Sequence, residues 1–359
     1  MKILMMVMNL NVGGTEMYVL SLAKALLKMG HAVGIVTKGG PLAENFRRSG
    51  VRVHIVQRGA KRREMAQKVR EVIYKGQYQL VHAHDSDWFS VIGGYASLIP
   101  VPKVITIHGK YHLVPILKRV FPRVNSIIVV SPSIYSWVLR HGARKYKISL
   151  IPNGIDVDLY SPRKNGYGRK PNALIAAYVG RFSGVKAHVA RKVIIASDLV
   201  SKQYKNFEIH MKGIGLSRSQ LIRVATSINS RQRRRIVHFE PVVQSVQNTY
   251  VKADLVIGAG RVAMEAMASG KPVIAAGVAG YHGIVTPASL QSAIYSNFGD
   301  HFAKRLTKPE ILAKDIKYLL HRPKLIRTLG EFGRKAIITR FAIQRVARKI
   351  HMVYLKASK

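Results

Sequence analysis

Short apolar runs alternate with longer segments of helical period along most of this chain. In the first half, seven runs rich in β-branched residues are predicted as strands: 2–9, 32–37, 51–57, 80–84, 103–108, 126–131 and 148–152. Helices are predicted between them, for example at 14–29 and at 62–74, where the apolar side chains fall on one face. This alternation indicates βα units and a parallel sheet.

A polar, Pro/Gly-rich stretch at 161–172 interrupts the pattern as a linker would. The alternation then restarts with strands predicted at 173–179, 208–211, 236–239, 255–257, 272–276 and 284–286. The sequence therefore predicts an α/β protein with two Rossmann-like, doubly wound domains, at 1–160 and 173–335. Ligands of such folds bind at the carboxyl ends of the strands, so we expect a cleft between the two sheets.

The last 25 residues predict one basic amphipathic helix. Its apolar stripe is formed by Ile343, Val346, Ile350 and Val353. We assign 336–359 to this terminal helix.

A length of 359 residues fits two domains of ordinary size, and a hydrophobic content of 48% can fill two cores. No apolar run approaches a membrane span of about 20 residues. The chain has no cysteine, which excludes disulfides and thiolate chemistry and favours a cytoplasmic location. The first strand is too short and wrongly flanked for a signal peptide.

The net charge of +42 is spread along the chain, with clusters at 61–63, 140–147 and 231–235. Such a field attracts polyanions, and an anionic membrane surface is the partner we expect from it, at the inner face of the membrane. Specific binding of nucleic acid is not expected. A host with a generally basic proteome would explain the same charge.

The segment 253–275 carries the most information: Ala-Asp-Leu-Val-Ile-Gly-Ala-Gly-Arg-Val-Ala-Met-Glu-Ala-Met-Ala-Ser-Gly-Lys-Pro-Val-Ile-Ala. It predicts a strand, a Gly-x-Gly turn, a short helix and a second strand. The amino terminus of a helix leaves backbone N–H groups directed outward, which suits a phosphate. Glu265 follows about one helical turn later, within reach of a hydroxyl beside that phosphate.

At this segment the chain resembles glycosyltransferase family 4, whose GT-B members carry Glu-Gly-x-Gly-x-x-x-x-Glu-Ala-Met-Ala-x-Gly-x-Pro. The family's first glutamate is replaced here by Ile257. The resemblance implies that the terminal helix returns to the first domain. It also implies that Glu265 binds ribose while the backbone amides of Gly260, Arg261 and Val262 face phosphate. A structural ion pair is the alternative for Glu265, since an unpaired buried carboxylate is costly.

Three further turns match the family. Arg181 and Lys186 flank a Ser-Gly turn in Val-Gly-Arg-Phe-Ser-Gly-Val-Lys, and the resemblance makes them the groups that hold the leaving diphosphate. Gly13 and Gly14 open the first helix, where close approach of the backbone to the donor diphosphate is expected. Gly213 lies in Lys-Gly-Ile-Gly, which resembles a nucleotide-facing turn of the family.

His82, His84 and His108 end two predicted strands. Imidazole both donates and accepts hydrogen bonds and can orient sugar hydroxyls. The resemblance places His108, in Thr-x-His-Gly, beside the anomeric carbon as a catalytic residue, and His84 is assigned to nucleotide-sugar binding. The three histidines lack the helical His-x-x-x-His spacing of a zinc site, and two Asp-x-Asp pairs at 85–87 and 156–158 are common loop sequences. We therefore predict no metal site.

The function predicted is transfer of a sugar from a nucleoside diphosphate sugar, UDP-sugar first, to a hydroxyl of a glycan or lipid-linked acceptor in cell-surface polysaccharide or glycolipid synthesis. The resemblance implies retention of configuration, no metal and no cofactor. A nucleotide-sugar epimerase of the same fold is an alternative, but it needs acid and base side chains that this chain largely lacks. A non-catalytic polyanion-binding relative is a second alternative.

Overall fold

The computed structural model describes residues 1–162, 173–241, 245–303 and 305–359. They form two compact units: the first comprises Met1–Asp156 and Phe341–Lys359, and the second comprises Val157–Arg340. These divisions lie four and five residues from the boundaries at 160 and 335 that the sequence pattern predicts. Most of the predicted linker, 163–172, lies outside the described residues.

The first unit is built on a parallel sheet of seven strands in the order β3-β2-β1-β4-β5-β6-β7. The strands are β1 Lys2–Met6, β2 Ala32–Thr37, β3 Arg52–Ile55, β4 Leu80–Ala83, β5 Lys103–Ile107, β6 Ser126–Val129 and β7 Ile148–Leu150. The helices between them are α1 Gly14–Lys28, α2 Ala43–Arg48, α3 Arg62–Gly76, α4 Ser86–Tyr95, α5 Val114–Val120 and α6 Pro132–Arg140. All seven predicted strands are present; β2 has the predicted bounds, and the other six end one to three residues earlier than predicted.

The second unit is built on six strands in the order β10-β9-β8-β11-β12-β13. They are β8 Leu174–Val179, β9 Phe207–Lys212, β10 Val237–Phe239, β11 Leu255–Gly258, β12 Val273–Gly277 and β13 Gly280–Ile284. The helices are α7 Gly184–Ser201, α8 Arg218–Arg231, α9 Val246–Lys252, α10 Arg261–Ala268, α11 Leu290–Tyr295, α12 Pro309–Leu320 and α13 Pro323–Phe341. Apolar side chains from strands and helices form one buried core.

The last strand was predicted wrongly at 284–286. β13 instead spans Gly280–Ile284 and runs antiparallel to β12, joined to it by a tight turn in which Gly277 pairs with Gly280. The segment Gly-Tyr-His-Gly-Ile has few β-branched residues, so its composition hides an edge strand. The other strands of this sheet are parallel, as predicted.

The C-terminal segment is two helices and not the single helix predicted over the last 25 residues. Helix α13 runs to Phe341, and α14 spans Ile343–Ala357. Between them Ala342 is extended, and backbone hydrogen bonds join Phe341 and Ile343 to Ile155 in the first unit. The break is stabilised by those two bonds, which a continuous helix could not make.

Helix α14 belongs to the first unit, as the family resemblance implies. Its stripe of Ile343, Val346, Ile350 and Val353 is buried with apolar residues of α1 and β1. Among the described residues, no helix is both long enough and apolar enough to cross a membrane.

Substitution of Ile350 tests how strongly α14 stabilises the first unit. Ile350 is fully buried. We expect Ile350→Ala to lower the free energy of unfolding by about 2 to 5 kcal/mol, because a cavity replaces packed methyl groups. Met352 on the same helix is 65% exposed, so Met352→Ala is the matched control and should change little. Thermal unfolding of both variants measures this, and equal melting temperatures would show that α14 is not part of the core.

Candidate active site

The carboxyl ends of β8, β9 and β11 lie side by side in the second sheet and carry three of the predicted turns. Gly180 follows β8, and its N–H donates to the carbonyl of Lys212 at the end of β9 over 3.0 Å. A Cβ placed on Gly213 would lie 1.9 Å from the carbonyl oxygen of Gly180. Glycine is therefore required at 213, because any side chain would force the two loops apart.

The turn after β11 has a second glycine that its conformation requires. Gly260 has a φ of +55°, and a Cβ there would lie 3.1 Å from Oδ2 of Asp300. Its N–H donates to the carbonyl of Asn297 over 3.0 Å. The expectation that this amide faces phosphate is therefore not met by this geometry. The amides of Arg261 and Val262 begin α10, where helix geometry provides no intrahelical acceptor.

Lys186 and Asp300 bring a cation next to this turn. Lys186 lies in the first turn of α7, 43% exposed, with its Nζ 3.6 Å from Oδ1 of Asp300. The other oxygen of Asp300 faces Gly260. Arg181 is exposed in the loop between β8 and α7. The structure thus places Lys186 beside the Gly-x-Gly turn and Arg181 at the same carboxyl edge of the sheet.

Sequence reasoning missed the loop 297–300. Asn297, Phe298 and Gly299 have consecutive φ values of +48°, +55° and +87°. A buried phenylalanine in the left-handed region costs on the order of 1 to 3 kcal/mol, and such strain is typical of functional sites. Nothing in the pattern of the loop reveals this conformation, although Asp300 is one of only 17 acidic residues in the chain.

Arg218, also missed, fixes the loops after β9 and β10. Its guanidinium donates to the carbonyl of Gly213 over 2.8 Å and to that of Glu240 over 3.0 Å. It also stacks over the ring of Phe239. Because the chain has 59 basic side chains, its sequence gives no sign that this one is structural.

Glu265 lies in a buried polar network. It is 6% exposed and accepts hydrogen bonds from Nε of Arg261 over 2.6 Å and from the hydroxyl of Tyr250 over 3.0 Å. Burial and the nearby carboxylate raise the pKa of Tyr250 well above its usual value, so the phenol remains a donor. Glu265 thus forms an ion pair with Arg261. The sequence left such a pair open as the alternative to ribose binding.

Ile257, which replaces the family's first glutamate, lies inside β11. Its side chain is fully buried in the core of the second unit, and its backbone is in register with Tyr178 of β8 and Ile274 of β12. A residue in the middle of a central strand is closed to ligands. Gly258 is the last residue of β11, so no loop separates Ile257 from the Gly-x-Gly turn.

In the first unit, His84 and His108 follow β4 and β5 and lie in contact. Nδ1 of His84 is 3.2 Å from Nε2 of His108, whose Nδ1 is 3.2 Å from Oδ1 of Asn153. Since an amide oxygen only accepts, His108 donates through Nδ1 and accepts from His84 through Nε2. Both ring nitrogens of His108 therefore have partners inside the unit, and a ligand would have to replace one of them.

His82 is structural. Its Nδ1 lies 2.7 Å from the hydroxyl of Tyr354 on α14, and its Nε2 lies 2.7 Å from Oγ1 of Thr106. Burial lowers the pKa of His82 to about 3 and holds that of His84 well below its usual value. Both rings are neutral hydrogen-bonding groups at neutral pH.

Gly13 and Gly14 lie at the start of α1. Gly13 is extended, and its carbonyl accepts from the N–H of Met17 over 3.0 Å, which closes the first turn. Tyr18, one turn further, packs edge-on against His108 with ring centroids 5.2 Å apart. The amino-terminal part of α1 and the two histidines thus form one group in the first unit.

Comparison with known proteins agrees with this arrangement. The family model for Glycosyltransferase Family 4 matches residues 12–159, and the model for Glycosyl transferases group 1 matches residues 163–336. A D-inositol 3-phosphate glycosyltransferase of Paenarthrobacter aurescens is 25% identical over 318 residues, which cover 75% of this chain and 77% of that protein.

Solved structures show the same fold. A glycosyltransferase of Rickettsia africae aligns with a TM-score of 0.77 at 19% identity over 100% of this chain and 98% of that one. Anabaena HepE in complex with UDP-glucose aligns with a TM-score of 0.78 at 17% identity over 98% of this chain and 99% of that one. With the two family models matching in tandem, this chain belongs to glycosyltransferase family 4 and is a glycosyltransferase of the GT-B fold.

Proposed function

We propose that this glycosyltransferase transfers a sugar from a nucleoside diphosphate sugar to an acceptor hydroxyl, with retention and without a metal in the reaction. The observation that carries the proposal is the position of the Lys186 ammonium beside the Gly258–Gly260 turn and the start of α10. UDP is the proposed nucleotide, since the similar HepE was solved with UDP-glucose.

The diphosphate would be bound by the cations and amides at the carboxyl edge of the second sheet. Lys186 is held by Asp300 at 3.6 Å, a weak and partly exposed pair that leaves the ammonium able to turn to a phosphate. Arg181 lies in the preceding loop, exposed to solvent. The backbone amides in the first turn of α10 would add N–H donors directed along the helix axis.

The reaction proposed from these groups is driven by the leaving group. The bond between the anomeric carbon and the diphosphate oxygen breaks, and the acceptor oxygen forms its bond on the same face. The electron pair of the broken bond stays on the diphosphate oxygen, so negative charge builds on the diphosphate, and the acceptor proton passes to that oxygen. Lys186 and Arg181 stabilise that charge in the transition state. Two carboxylates that straddle the bond, as in glycosidases, are not needed.

His108 is proposed to act on the sugar from the first unit, with His84 as its positioning partner. The neutral His84 donates through Nδ1 to His108, and His108 donates to Asn153. These two hydrogen bonds orient the ring of His108. A sugar hydroxyl that approaches His108 would replace one of these contacts. The acceptor is proposed to be a glycan or lipid-linked hydroxyl of cell-surface polysaccharide or glycolipid synthesis.

Loss of either phosphate-binding cation should slow the reaction. We expect Lys186→Ala and Arg181→Ala each to lower turnover by about 10²- to 10³-fold, the effect of removing one donor to developing charge. Release of UDP from a panel of UDP-sugars with a glycan acceptor measures this. Arg191 lies on the same helix as Lys186 and is exposed, so Arg191→Ala is the matched control and should keep normal turnover.

His108→Ala belongs in the same series, because it separates chemistry from nucleotide binding. We expect it to lower turnover while the affinity for UDP stays unchanged, since the groups proposed to hold UDP belong to the second unit. Normal turnover in both Lys186→Ala and Arg181→Ala would contradict the proposed reaction. Saturable UDP binding with no transfer to any acceptor would favour the alternative of a non-catalytic, polyanion-binding relative. Conversion of the sugar without an acceptor would favour an epimerase.

The ribose role of Glu265 needs a variant that preserves its buried partner. Glu265→Ala would remove the carboxylate that balances the buried Arg261 charge and cost about 3 to 5 kcal/mol, so lost binding would reflect misfolding. We expect Glu265→Gln to keep the fold and to weaken UDP binding by about tenfold or more, because a hydrogen bond to a charged group is lost. A UDP analogue without ribose hydroxyls should bind Glu265→Gln and wild type equally.

Tyr250→Phe is the matched control for this measurement, because Tyr250 contacts only one oxygen of Glu265. It should still prefer UDP over the analogue. If Glu265→Gln keeps the full preference for UDP, then Glu265 serves only the ion pair with Arg261.

An anionic membrane surface is the proposed site of action, on the basis of the +42 charge and the exposed basic start of α3. We expect the protein to float with vesicles of anionic phospholipid at low salt and to be released at about 1 M salt, where charges are screened within about 3 Å. Vesicles of neutral lipid are the control. Equal binding to both vesicle types, or to neither, would remove this part of the proposal.

A further inference from the structure

Strands β9 and β10 bring three metal-ligand side chains to one face at the edge of the second sheet. Glu208 and His210 are two residues apart on β9, so they point to the same face. His238 of β10 is the direct register partner of His210. Among the residues that the structure describes, these three form a group whose ligand atoms all lie within 4.8 Å of one another.

The distances match a tetrahedral metal centre. Oε2 of Glu208 lies 3.5 Å from Nε2 of His210 and 3.2 Å from Nε2 of His238. A tetrahedral ion with bonds of about 2.1 Å separates its ligand atoms by about 3.4 Å. All three side chains are partly exposed, although Nε2 of His210 itself is buried.

Glu240 orients the central histidine. Its Oε1 lies 2.6 Å from Nδ1 of His210, which must donate there because a carboxylate only accepts. Metal-bound histidines typically donate their second N–H to a carboxylate in this way. The carbonyl of Glu240 is itself fixed by Arg218 over 3.0 Å.

With Nδ1 protonated, a neutral His210 directs the lone pair of Nε2 at Glu208. This nitrogen is buried and makes no hydrogen bond within the described part of the chain. A lone pair that faces a carboxylate oxygen at 3.5 Å is repulsive unless a cation lies between them or the ring carries a second proton.

We propose that Glu208, His210 and His238 bind Zn²⁺, with Glu240 as the carboxylate behind His210 and water as the fourth ligand. Two imidazoles and one carboxylate are a ligand set that Zn²⁺ prefers. His238 would bind through Nε2 as the Nδ1–H tautomer and give up its contact with the carbonyl of Arg235 at 3.0 Å. The ion would join the edge strand β10 to its neighbour β9 and take no part in sugar transfer.

The charge balance of the protein supports a cation at this place. Two of only 17 acidic side chains, Glu208 and Glu240, converge on two histidines in a chain with 59 basic residues. Elsewhere such a surface repels divalent cations. The three ligands have no helical His-x-x-x-His spacing in the sequence, because the third comes from a neighbouring strand.

The test is Zn²⁺ binding to the untagged full chain after removal of metal with a chelator. Equilibrium dialysis should give one Zn²⁺ per chain, and competition with a chromophoric chelator gives the affinity. We expect Glu240→Gln to weaken binding by about 10- to 100-fold, as removal of such a partner does. Glu208→Gln and His238→Ala should weaken it at least as strongly. The circular dichroism of each metal-free variant confirms that it is folded.

His31→Ala is the matched control, because His31 and His351 form another imidazole pair, 3.1 Å apart, in the first unit. It should leave Zn²⁺ affinity unchanged. The proposal is overturned if the wild type binds no stoichiometric Zn²⁺. It is equally overturned if His31→Ala, and not His238→Ala, abolishes binding.

Discussion

A side chain at Gly213 would lie 1.9 Å from the carbonyl oxygen of Gly180, and one at Gly260 would lie 3.1 Å from Asp300. The absence of these two Cβ atoms lets the loops after β8, β9 and β11 lie against one another and against the loop 297–300. Every group proposed to contact the diphosphate depends on that close approach. Larger residues would separate Lys186 from the start of α10 even if the sheet itself remained intact.

The second constraint is the scarcity of carboxylates. With 17 acidic residues against 59 basic ones, each buried acid has an identifiable structural use. Glu265 pairs with Arg261, and Asp198 accepts from Arg231 over 2.6 Å. Asp85 caps helix α4 and accepts from the N–H of Met8 over 2.6 Å. Catalysis in this chain therefore has few acids available, which favours a reaction that stabilises a leaving anion over one that needs an acid and base pair.

The sequence allowed the fold to be predicted well wherever hydrophobic periodicity carries the information. All seven strands of the first sheet were located, because each is a buried β-branched run between helices. The antiparallel β13 and the break at Ala342 were not, since both depend on backbone pairing with distant residues, Gly277 in one case and Ile155 in the other. Local pattern contains no signal for such partners.

In the site, too, local motifs could be predicted from the sequence, whereas contacts with distant residues could not. Turns with glycines next to strands were recognised, and the structure brings Lys186, Gly260 and α10 together. The partners of those residues were not recognised: Asp300, Arg218 and Tyr250 lie in segments without a motif. Similarly, the sequence left a ligand role and an ion pair open for Glu265, and the side chains that donate to its two oxygens are brought near only by the folded chain.

Ile257, which replaces the family's first glutamate, lies within strand β11. A fully buried core position cannot be the place of a lost sugar contact, because β11 runs directly into Gly258 and leaves no loop for a glutamate to occupy. Groups that recognise the proposed donor sugar would then come from another segment at this edge. Residues 297–300 contact the Gly260 turn and contain the strained Phe298 and the carboxylate of Asp300. Backbone strain costs folding energy, so strain held in place beside the Gly260 turn is typical of a functional site.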